Sequence, residues 1–286
     1  MLWGAGDFFG GLATRTGSVL LVVLVSQTAS LAAALALSLV AGEPLPTAEA
    51  AAWAIAGGVA GLVGVTTLYR ALAGGTMGLV APLTGVIAAA VPALIGIASG
   101  EPFGPVLGAG FVLALVAVAV ISAPPRGGVP GAGGSGRMTG VGLLLVVVAG
   151  LGFAGFYLGI DRAHEAGLGP VLTLVLLRLG SCLSVIVAIA TLRGTGRIGR
   201  LHGDRRTVRH ALTSAALGDV LGNLVYIVAN SIGTLSVTVV LGSLYPASTV
   251  VLAAIVVHER LSRRQLGGVA LALGGALLIT AGSAAG

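Results

Sequence analysis

The chain has 286 residues, of which 56% are hydrophobic and only 8% are charged. This charged fraction excludes an ordinary soluble domain, in which about a quarter of the residues are charged. The net charge is +6, but most of the arginines that produce it lie in short segments between apolar stretches, where the usual cause is orientation in a membrane, so we exclude nucleic acid as a partner.

Apolar stretches follow one another along the chain, separated by short segments rich in polar residues, glycine or proline. Most stretches have about 20 residues, the length with which a helix crosses a hydrocarbon core of about 30 Å. We therefore predict an all-α, polytopic membrane protein with about ten transmembrane helices. The predicted spans lie near residues 2–14, 18–40, 51–73, 77–98, 105–122, 139–160, 170–192, 210–230, 234–257 and 265–283.

The chain divides into two similar halves. Residues 124–138, between the fifth and sixth spans, are rich in proline and glycine and have the composition of a linker. They separate a first repeat, 1–123, from a second, 139–286. Three landmarks recur in the second half at one constant displacement: Gly75-Thr76, Glu101 and Gly110 match Gly233-Thr234, Glu259 and Gly268. An odd number of spans in each half predicts two inverted five-helix repeats, an architecture typical of secondary transporters.

The arginines are distributed unequally between the two predicted faces. Loops after spans 1, 5, 7 and 9 hold most of them, whereas the loops of the other face hold Arg162 alone. Because cytoplasmic loops collect arginine and lysine, we expect the arginine-rich face in the cytoplasm and both termini outside.

Several kinds of chemistry have no support in the sequence. The chain has one cysteine, Cys182, so it forms neither an intramolecular disulfide nor a site with several cysteine ligands. Neither a Walker A motif nor an H-E-x-x-H motif occurs, and the histidines lie in loops or at span ends. We therefore expect no direct use of ATP, no metal, no other cofactor and no enzyme activity.

Polar residues within the spans are the candidates for a solute site, because charged groups in hydrocarbon are costly and usually face a cavity or a partner. Asp219, in the eighth span, is followed by Asn223 and Tyr226, which the helical period places on the same face. That face would offer a carboxylate, an amide and a phenol to a polar cargo. The carboxylate can also bind a proton during a transport cycle.

Arg178 lies in the seventh span, and the corresponding place in the second span holds Gln27. A guanidinium that faces a cavity can bind a carboxylate or a phosphate through paired hydrogen bonds. The alternative is a structural ion pair between Arg178 and Asp219 that holds two helices together. Asp7, in the short first span, is a further candidate, and capping or a position near the membrane surface explains it equally well.

Prolines mark predicted breaks in the fourth and ninth spans. Pro82, Pro92 and Pro246 each remove a backbone hydrogen bond from their helix. Breaks at related places in two halves are typical of a solute site near the middle of the membrane. Tyr245 adjoins one of these breaks and is a candidate for that site.

Other residues of the spans have a structural explanation beside the functional one. Trp3 and Tyr157 are candidates for an aromatic wall of a cavity, although packing and interfacial belts account for most such residues. Gly218 and Gly222 have the spacing that lets helices approach closely. We expect Glu101, which follows the fourth span, to cap the next helix or to pair with an arginine.

Short motifs over most of the chain resemble those of one family. In the second half they are Leu244-Tyr245-Pro246, His258-Glu259-Arg260-Leu261-Ser262 and Gln265-Leu266-Gly267-Gly268; in the first half they are Trp3-Gly4, Tyr69-Arg70-Ala71-Leu72 and Gly100-Glu101-Pro102. This pattern resembles the EamA family of the drug/metabolite transporter superfamily. The resemblance implies ten helices around a central cavity. The first half departs from the pattern with Ala88 in the place of Pro246, and many members place both termini in the cytoplasm.

The resemblance and the buried polar residues together favour a secondary transporter. We expect it to export a small metabolite, such as an amino acid-like compound or a drug, by alternating access driven by protons or by exchange. An uncoupled facilitator and a membrane scaffold without transport activity are the alternatives. The expected partners are a small-molecule substrate, the lipid bilayer and protons, in a monomer or homodimer of a plasma membrane, the inner membrane of a bacterium.

Overall fold

The structure, a computed structural model, describes residues 2–14, 16–73, 77–122, 140–196, 198, 200–245, 255 and 263–284. These residues are mainly helical and include no β-strand, which confirms the predicted all-α class. The helices are α1 (Leu2–Thr14), α2 (Val19–Ala41), α3 (Ala48–Ala73), α4 (Met77–Ala98), α5 (Pro105–Ser122), α6 (Gly140–Glu165), α7 (Pro170–Gly194), α8 (Arg205–Ser214), a π-helical segment (Ala215–Gly222), α9 (Asn223–Ile232), α10 (Leu235–Gly242) and α11 (Arg263–Ala284).

Within the described part of the chain, five helices are long and apolar enough to cross a membrane. They are Val19–Ala41, Ala48–Leu68, Val141–Glu165, Pro170–Gly194 and Arg205–Ile232. The last of them joins α8, the π-helical segment and α9 into one span. Shorter apolar helices cover Thr84–Ala98, Pro105–Val120 and Leu266–Ile279. The prediction of several membrane-spanning helices is confirmed, and the number of ten stays a prediction.

The span Arg205–Ile232 begins before the predicted residue 210, because a capping box starts it. The Asp204 carboxylate accepts hydrogen bonds from the backbone N–H and the hydroxyl of Thr207, at 2.7 and 2.8 Å. In return, the Thr207 hydroxyl accepts from the Asp204 N–H at 3.3 Å. The hydrogen bond from the Thr207 N–H holds the pKa of the Asp204 carboxyl below its usual value.

The chain folds into two compact units, and each contains helices from both halves of the sequence. The first unit consists of Met1–Leu62 and Leu158–Ile232, and the second of Val63–Tyr157 and Gly233–Gly286. Helices α3 and α6 each pass from one unit to the other. The units therefore differ from the predicted repeats, which are defined by sequence order. The predicted linker, 124–138, lies outside the described residues.

Glycines allow close helix contacts in the first unit. A Cβ atom at Gly159 of α6 would lie 2.6 Å from the Cα atom of Gly57 in α3. A Cβ atom at Gly6 of α1 would lie 2.5 Å from the Cα atom of Gly218 in the π-helical segment. These distances are shorter than side chains tolerate, so the predicted packing role of Gly218 agrees with the structure.

In the second unit, α5 packs along α11. A Cβ atom at Gly275 of α11 would lie 2.9 Å from the backbone nitrogen of Ala114 in α5. The buried apolar core beside this contact includes residues of α4, α5, α10 and α11. Its members are Ala93, Leu107, Phe111, Ala114, Val240 and Ile279.

Two loop glutamates cap helices that are distant in sequence. In the first unit, the Glu43 carboxylate accepts from two backbone N–H groups at the start of α7, at 2.9 and 2.8 Å. In the second unit, the Glu101 carboxylate accepts from two N–H groups at the start of α10, at 2.9 and 3.0 Å. The prediction that Glu101 caps the next helix, α5, is wrong, because both of its carboxylate oxygens accept from N–H groups of α10.

The fourth span also differs from the sequence-based expectation. Helix α4 runs without interruption from Met77 to Ala98 through Pro82 and Pro92. The predicted breaks at these two prolines are therefore wrong, because a long apolar helix retains its other backbone hydrogen bonds around a missing donor. Pro92 is buried, and the side chain of Pro82 lies outside the description.

Candidate functional site

Three side chains of the first unit form a closed ring of hydrogen bonds. Arg178 of α7 donates from Nη1 to Oδ1 of Asp219 at 3.1 Å and to Oε1 of Gln27 at 2.8 Å. Gln27 of α2 donates from Nε2 to Oδ2 of Asp219 at 3.3 Å. The ring therefore joins two apolar helices to the π-helical segment. The ion pair of Arg178 with Asp219, which the sequence analysis gives as the structural alternative, is present, and Gln27 joins it through a contact that was not predicted.

The two charges of this ring differ in their exposure. The side chain of Arg178 is 5% exposed, whereas that of Asp219 is 25% exposed. Nε of Arg178 is buried and meets no hydrogen-bond partner among the described residues. A guanidinium in such a place needs a compensating anion, because a buried charge without a partner is strongly destabilising. The carboxylate is thus both the counter-ion of Arg178 and the more accessible of the two charges.

Asp219 lies on a π-helical segment, which the sequence analysis does not predict. The segment covers Ala215–Gly222 inside an otherwise α-helical span. Short π-helical turns are rare and occur frequently at functional sites. Gly222 packs against the ring of Trp3, where a Cβ atom would lie 2.6 Å from Cδ1. Together with the contact between Gly6 and Gly218, this brings α1 against the whole segment.

Trp3 joins the other two predicted residues of the eighth span. Its indole Nε1 donates to Oδ1 of Asn223 at 2.6 Å. Its ring lies 5.1 Å from that of Tyr226, with an angle of 31° between the planes. Asn223 and Tyr226 are both buried. The structure therefore places Trp3 of α1 in one cluster with Asn223 and Tyr226, which lie on the span that also carries Asp219.

A further polar contact on this span was missed by sequence reasoning. Asn230 of α9 donates from Nδ2 to Oδ1 of Asp161 in α6 at 3.2 Å. The side chain of Asn230 is buried, and its Oδ1 meets no hydrogen-bond partner in the described part of the chain. The spacing of Asn230 from Asn223 and Tyr226 is the helical signal that points to it. Asp161 lies in a predicted loop, because the predicted sixth span ends at residue 160.

The remaining candidate residues lie in the second unit, or their side chains lie outside the described part of the chain. Tyr157 and Tyr245 belong to the second unit; Tyr157 is buried and lies edge-to-face on Phe156, and Tyr245 is half-buried. The backbone of Asp7 lies in α1, but its side chain is outside the described residues, as is Pro246.

The described residues contain no group of three or more histidine, cysteine, aspartate or glutamate side chains able to hold a metal. One open surface depression of about 570 Å³ lies along α8 and the start of the π-helical segment, lined among others by Arg205, Arg209 and Leu212. Its lining includes no member of the ring. Cys182, one turn after Arg178, is a buried free thiol.

Comparison with known proteins bears on the fold and on the family of the chain. No curated protein sequence matches the chain. A solved crystal structure has the same fold, with a TM-score of 0.72 and 18% sequence identity over 98% of this chain and 96% of that one. Residues 140–281 match the model of the EamA-like transporter family. The chain therefore belongs to the EamA-like transporter family, within the drug/metabolite transporter superfamily, and is a multi-pass membrane protein.

Proposed function

We propose that the protein is a secondary transporter that exports a small polar metabolite by alternating access, with Gln27, Arg178 and Asp219 as its solute and coupling site. The family is one of membrane transporters, which supports the transport function. The observation that carries the site is the ring itself, which places two opposite charges and an amide within membrane-length helices. Ten spans in two inverted repeats, 1–123 and 139–286, are the proposed architecture for alternating access.

The chemistry of the ring favours a cargo that carries both a carboxylate and an ammonium group. Arg178 can exchange the Asp219 carboxylate for a cargo carboxylate, since a guanidinium forms paired hydrogen bonds with either. Asp219 can then accept hydrogen bonds from the cargo ammonium. In this exchange no charge of the ring loses its partner, so the cost of separating the buried pair is offset. Amino acid-like metabolites are the class that meets this requirement.

The same exchange couples the cargo to protons. When Asp219 is protonated it no longer pairs as an anion with Arg178, and the guanidinium is open to a cargo carboxylate. Binding of the cargo ammonium then requires the carboxylate form of Asp219, so the proton leaves as the cargo binds. Proton entry and cargo exit thus alternate at one carboxylate, as in an antiporter.

Proton release on cargo binding tests this proposal. The twenty common amino acids are titrated, as a mixture and singly, into purified protein in weakly buffered detergent with a pH-sensitive dye. We expect release by the wild type and none by Asp219→Asn. Glu165→Gln is the matched control, because Glu165 is an exposed carboxylate paired with Arg162 at the end of α6, and it should release protons as the wild type does.

Other results of this titration would contradict or change the proposed function. Release by Asp219→Asn equal to that of the wild type would contradict the role of this carboxylate. Amino acid binding without proton release would indicate an uncoupled facilitator. Absence of binding by the whole library, in a protein that elutes as one folded species, would favour a scaffold or a different class of cargo.

A further inference from the structure

One membrane-length helix of the first unit, Arg205–Ile232, carries polar side chains from end to end. They follow one another at intervals of three to five residues, and each has its contact with another helix of the first unit. We call this set the polar face. Its members are His210, Ser214, Asp219, Asn223, Tyr226 and Asn230.

The π-helical segment is what aligns the two ends of the polar face. In an α-helix with 3.6 residues per turn, the step of five residues from Ser214 to Asp219 would turn the second side chain about 140° away from the first. A π turn closes on the fifth residue instead, so it returns Asp219 to the same side. His210 and Ser214 thereby share one face with Asn223 and the residues after it.

The polar face points into the first unit. The ring of His210 lies 6.1 Å from that of Phe9, and the Ser214 hydroxyl donates to the carbonyl oxygen of Gly6 at 2.7 Å. The four later members contact Gln27, Arg178, Trp3 and Asp161, as described above. The opposite side of the span consists of exposed apolar residues, as expected for contact with lipid. They include Leu212, Leu221, Val225 and Val228.

Three buried polar atoms, two on the polar face and one on Arg178 beside it, meet no partner among the described residues. They are Nδ1 of His210 near one end, Nε of Arg178 at the centre and Oδ1 of Asn230 near the other end. Buried polar groups in proteins are nearly always hydrogen-bonded to protein or to ordered water. We therefore expect ordered water to bind at these three atoms.

We propose that the polar face is the path of the coupling proton, carried by ordered water between His210 at one end and the pair of Asn230 and Asp161 at the other, through Asp219. His210 and Asn230 are 20 residues apart, which corresponds to about 30 Å of helix and thus to the hydrocarbon thickness. This inference rests on the proposed function, in which Asp219 binds and releases the proton.

Each group on the proposed path has a defined role in moving the proton. The imidazole of His210 accepts a proton on one ring nitrogen and gives up the proton of the other, so it passes a proton on without net change. Water carries the proton to an Asp219 oxygen, and the O–H bond formed there breaks when cargo binds. Asn230 does not titrate, and it orders water beside the Asp161 carboxylate, which is the second group able to hold the proton.

The surroundings of His210 are compatible with this role. On its own helix, Arg206 and Arg209 are exposed. Helices α1 and α2 pack against α8; the charged residue of α1 is Asp7, and α2 has no charged residue. The positive groups near His210 thus lie at the surface, where water screens them.

Thiol labelling tests whether water reaches the polar face. In a Cys182→Ser background, single cysteines replace Ser214 or Asn230 on the polar face, and Leu221 or Val225 on the lipid side as matched controls. A charged, water-soluble methanethiosulfonate reagent reacts with the thiolate, which does not form in hydrocarbon. We expect labelling at residues 214 and 230 to be at least about tenfold faster than at residues 221 and 225. Equal rates would overturn the proposal.

Proton flux tests whether the hydrated face conducts protons. Proteoliposomes with an internal pH dye receive the amino acid mixture on both sides and a potassium diffusion potential. We expect flux in the wild type and in His164→Gln, a histidine outside the path, and a loss of most flux in His210→Gln. Undiminished flux in His210→Gln, or none in the wild type, would overturn the path; thermal unfolding and gel filtration of each variant separate this result from misfolding.

The two tests separate this inference from the proposed function. Labelling needs no cargo, so unlabelled polar-face cysteines together with Asp219-dependent proton release would overturn the path alone. Labelled cysteines and His210-dependent flux, with proton release that survives Asp219→Asn, would overturn the proposed role of Asp219 at the ring.

Discussion

Gln27 forms hydrogen bonds with both charges of the ring and helps each of them to exchange its partner. Its amide accepts from Arg178 and donates to Asp219, so each charge keeps a hydrogen bond when the direct contact between them opens. Without such support, the cost of removing two charges from water can exceed their mutual attraction. At the scale of single residues, the ring is thus suited to exchange one partner for another.

A double-mutant cycle measures how strongly the ring is coupled. We expect Arg178→Gln and Asp219→Asn each to lower the free energy of unfolding, and the double variant to lose less than their sum, by about 0.5–3 kcal/mol. The reason is that each single change leaves the other charge without its counter-ion. Unfolding in mixed detergent micelles, followed by circular dichroism, gives the four values. Additive losses would show that the two side chains do not depend on each other.

At the scale of elements, the π-helical segment is the feature that sequence patterns could not predict. Apolar length predicted the span around it, and helical spacing predicted that Asp219, Asn223 and Tyr226 share a face. The π turn lies where Gly218 contacts Gly6, a residue distant in the chain. Local propensity contains no signal for such a contact, so the extra residue in the turn became visible only in the structure.

The contact between α1 and the π-helical segment can be tested with two glycines of one helix. Gly6→Ala places a methyl group against Gly218, and we expect it to lower stability by about 1–3 kcal/mol. Gly11→Ala is the control, because nothing lies within 4 Å of its Cβ position; alanine should there be neutral or stabilising by about 0.5–1 kcal/mol. Thermal unfolding in detergent compares them. A similar change in both would argue against the close approach.

The start of the same span gives a prediction about pH. Because the Thr207 N–H lowers the pKa of Asp204, the carboxylate stabilises the folded state. This contribution is complete above the ordinary aspartate value of about 3.9 and is lost as the pH falls through the lowered pKa. Asp204→Asn should therefore melt lower than the wild type at neutral pH, and the difference should shrink in acid. A difference that is constant with pH would contradict the capping role.

At the scale of the whole molecule, the sequence predicted best the features that depend on burial in lipid, because lipid dictates composition. The helical class and the family followed from apolar runs and from motifs such as Gly100-Glu101-Pro102. The assembly of each unit from both halves did not, because hydropathy records which residues face lipid and not which helices pack together. The caps of Glu43 on α7 and Glu101 on α10, and the contact of Asp161 with Asn230, are consequences of that packing.

Solute flux tests most directly whether Asp219 couples protons to transport. Proteoliposomes loaded with the amino acid mixture are diluted into medium with the same mixture in labelled form, and uptake is followed with and without an imposed pH gradient. We predict uptake by the wild type and by Glu165→Gln that the pH gradient accelerates, and no response to the gradient in Asp219→Asn. A gradient response in Asp219→Asn equal to that of the wild type would contradict the proposal that this carboxylate couples protons to transport.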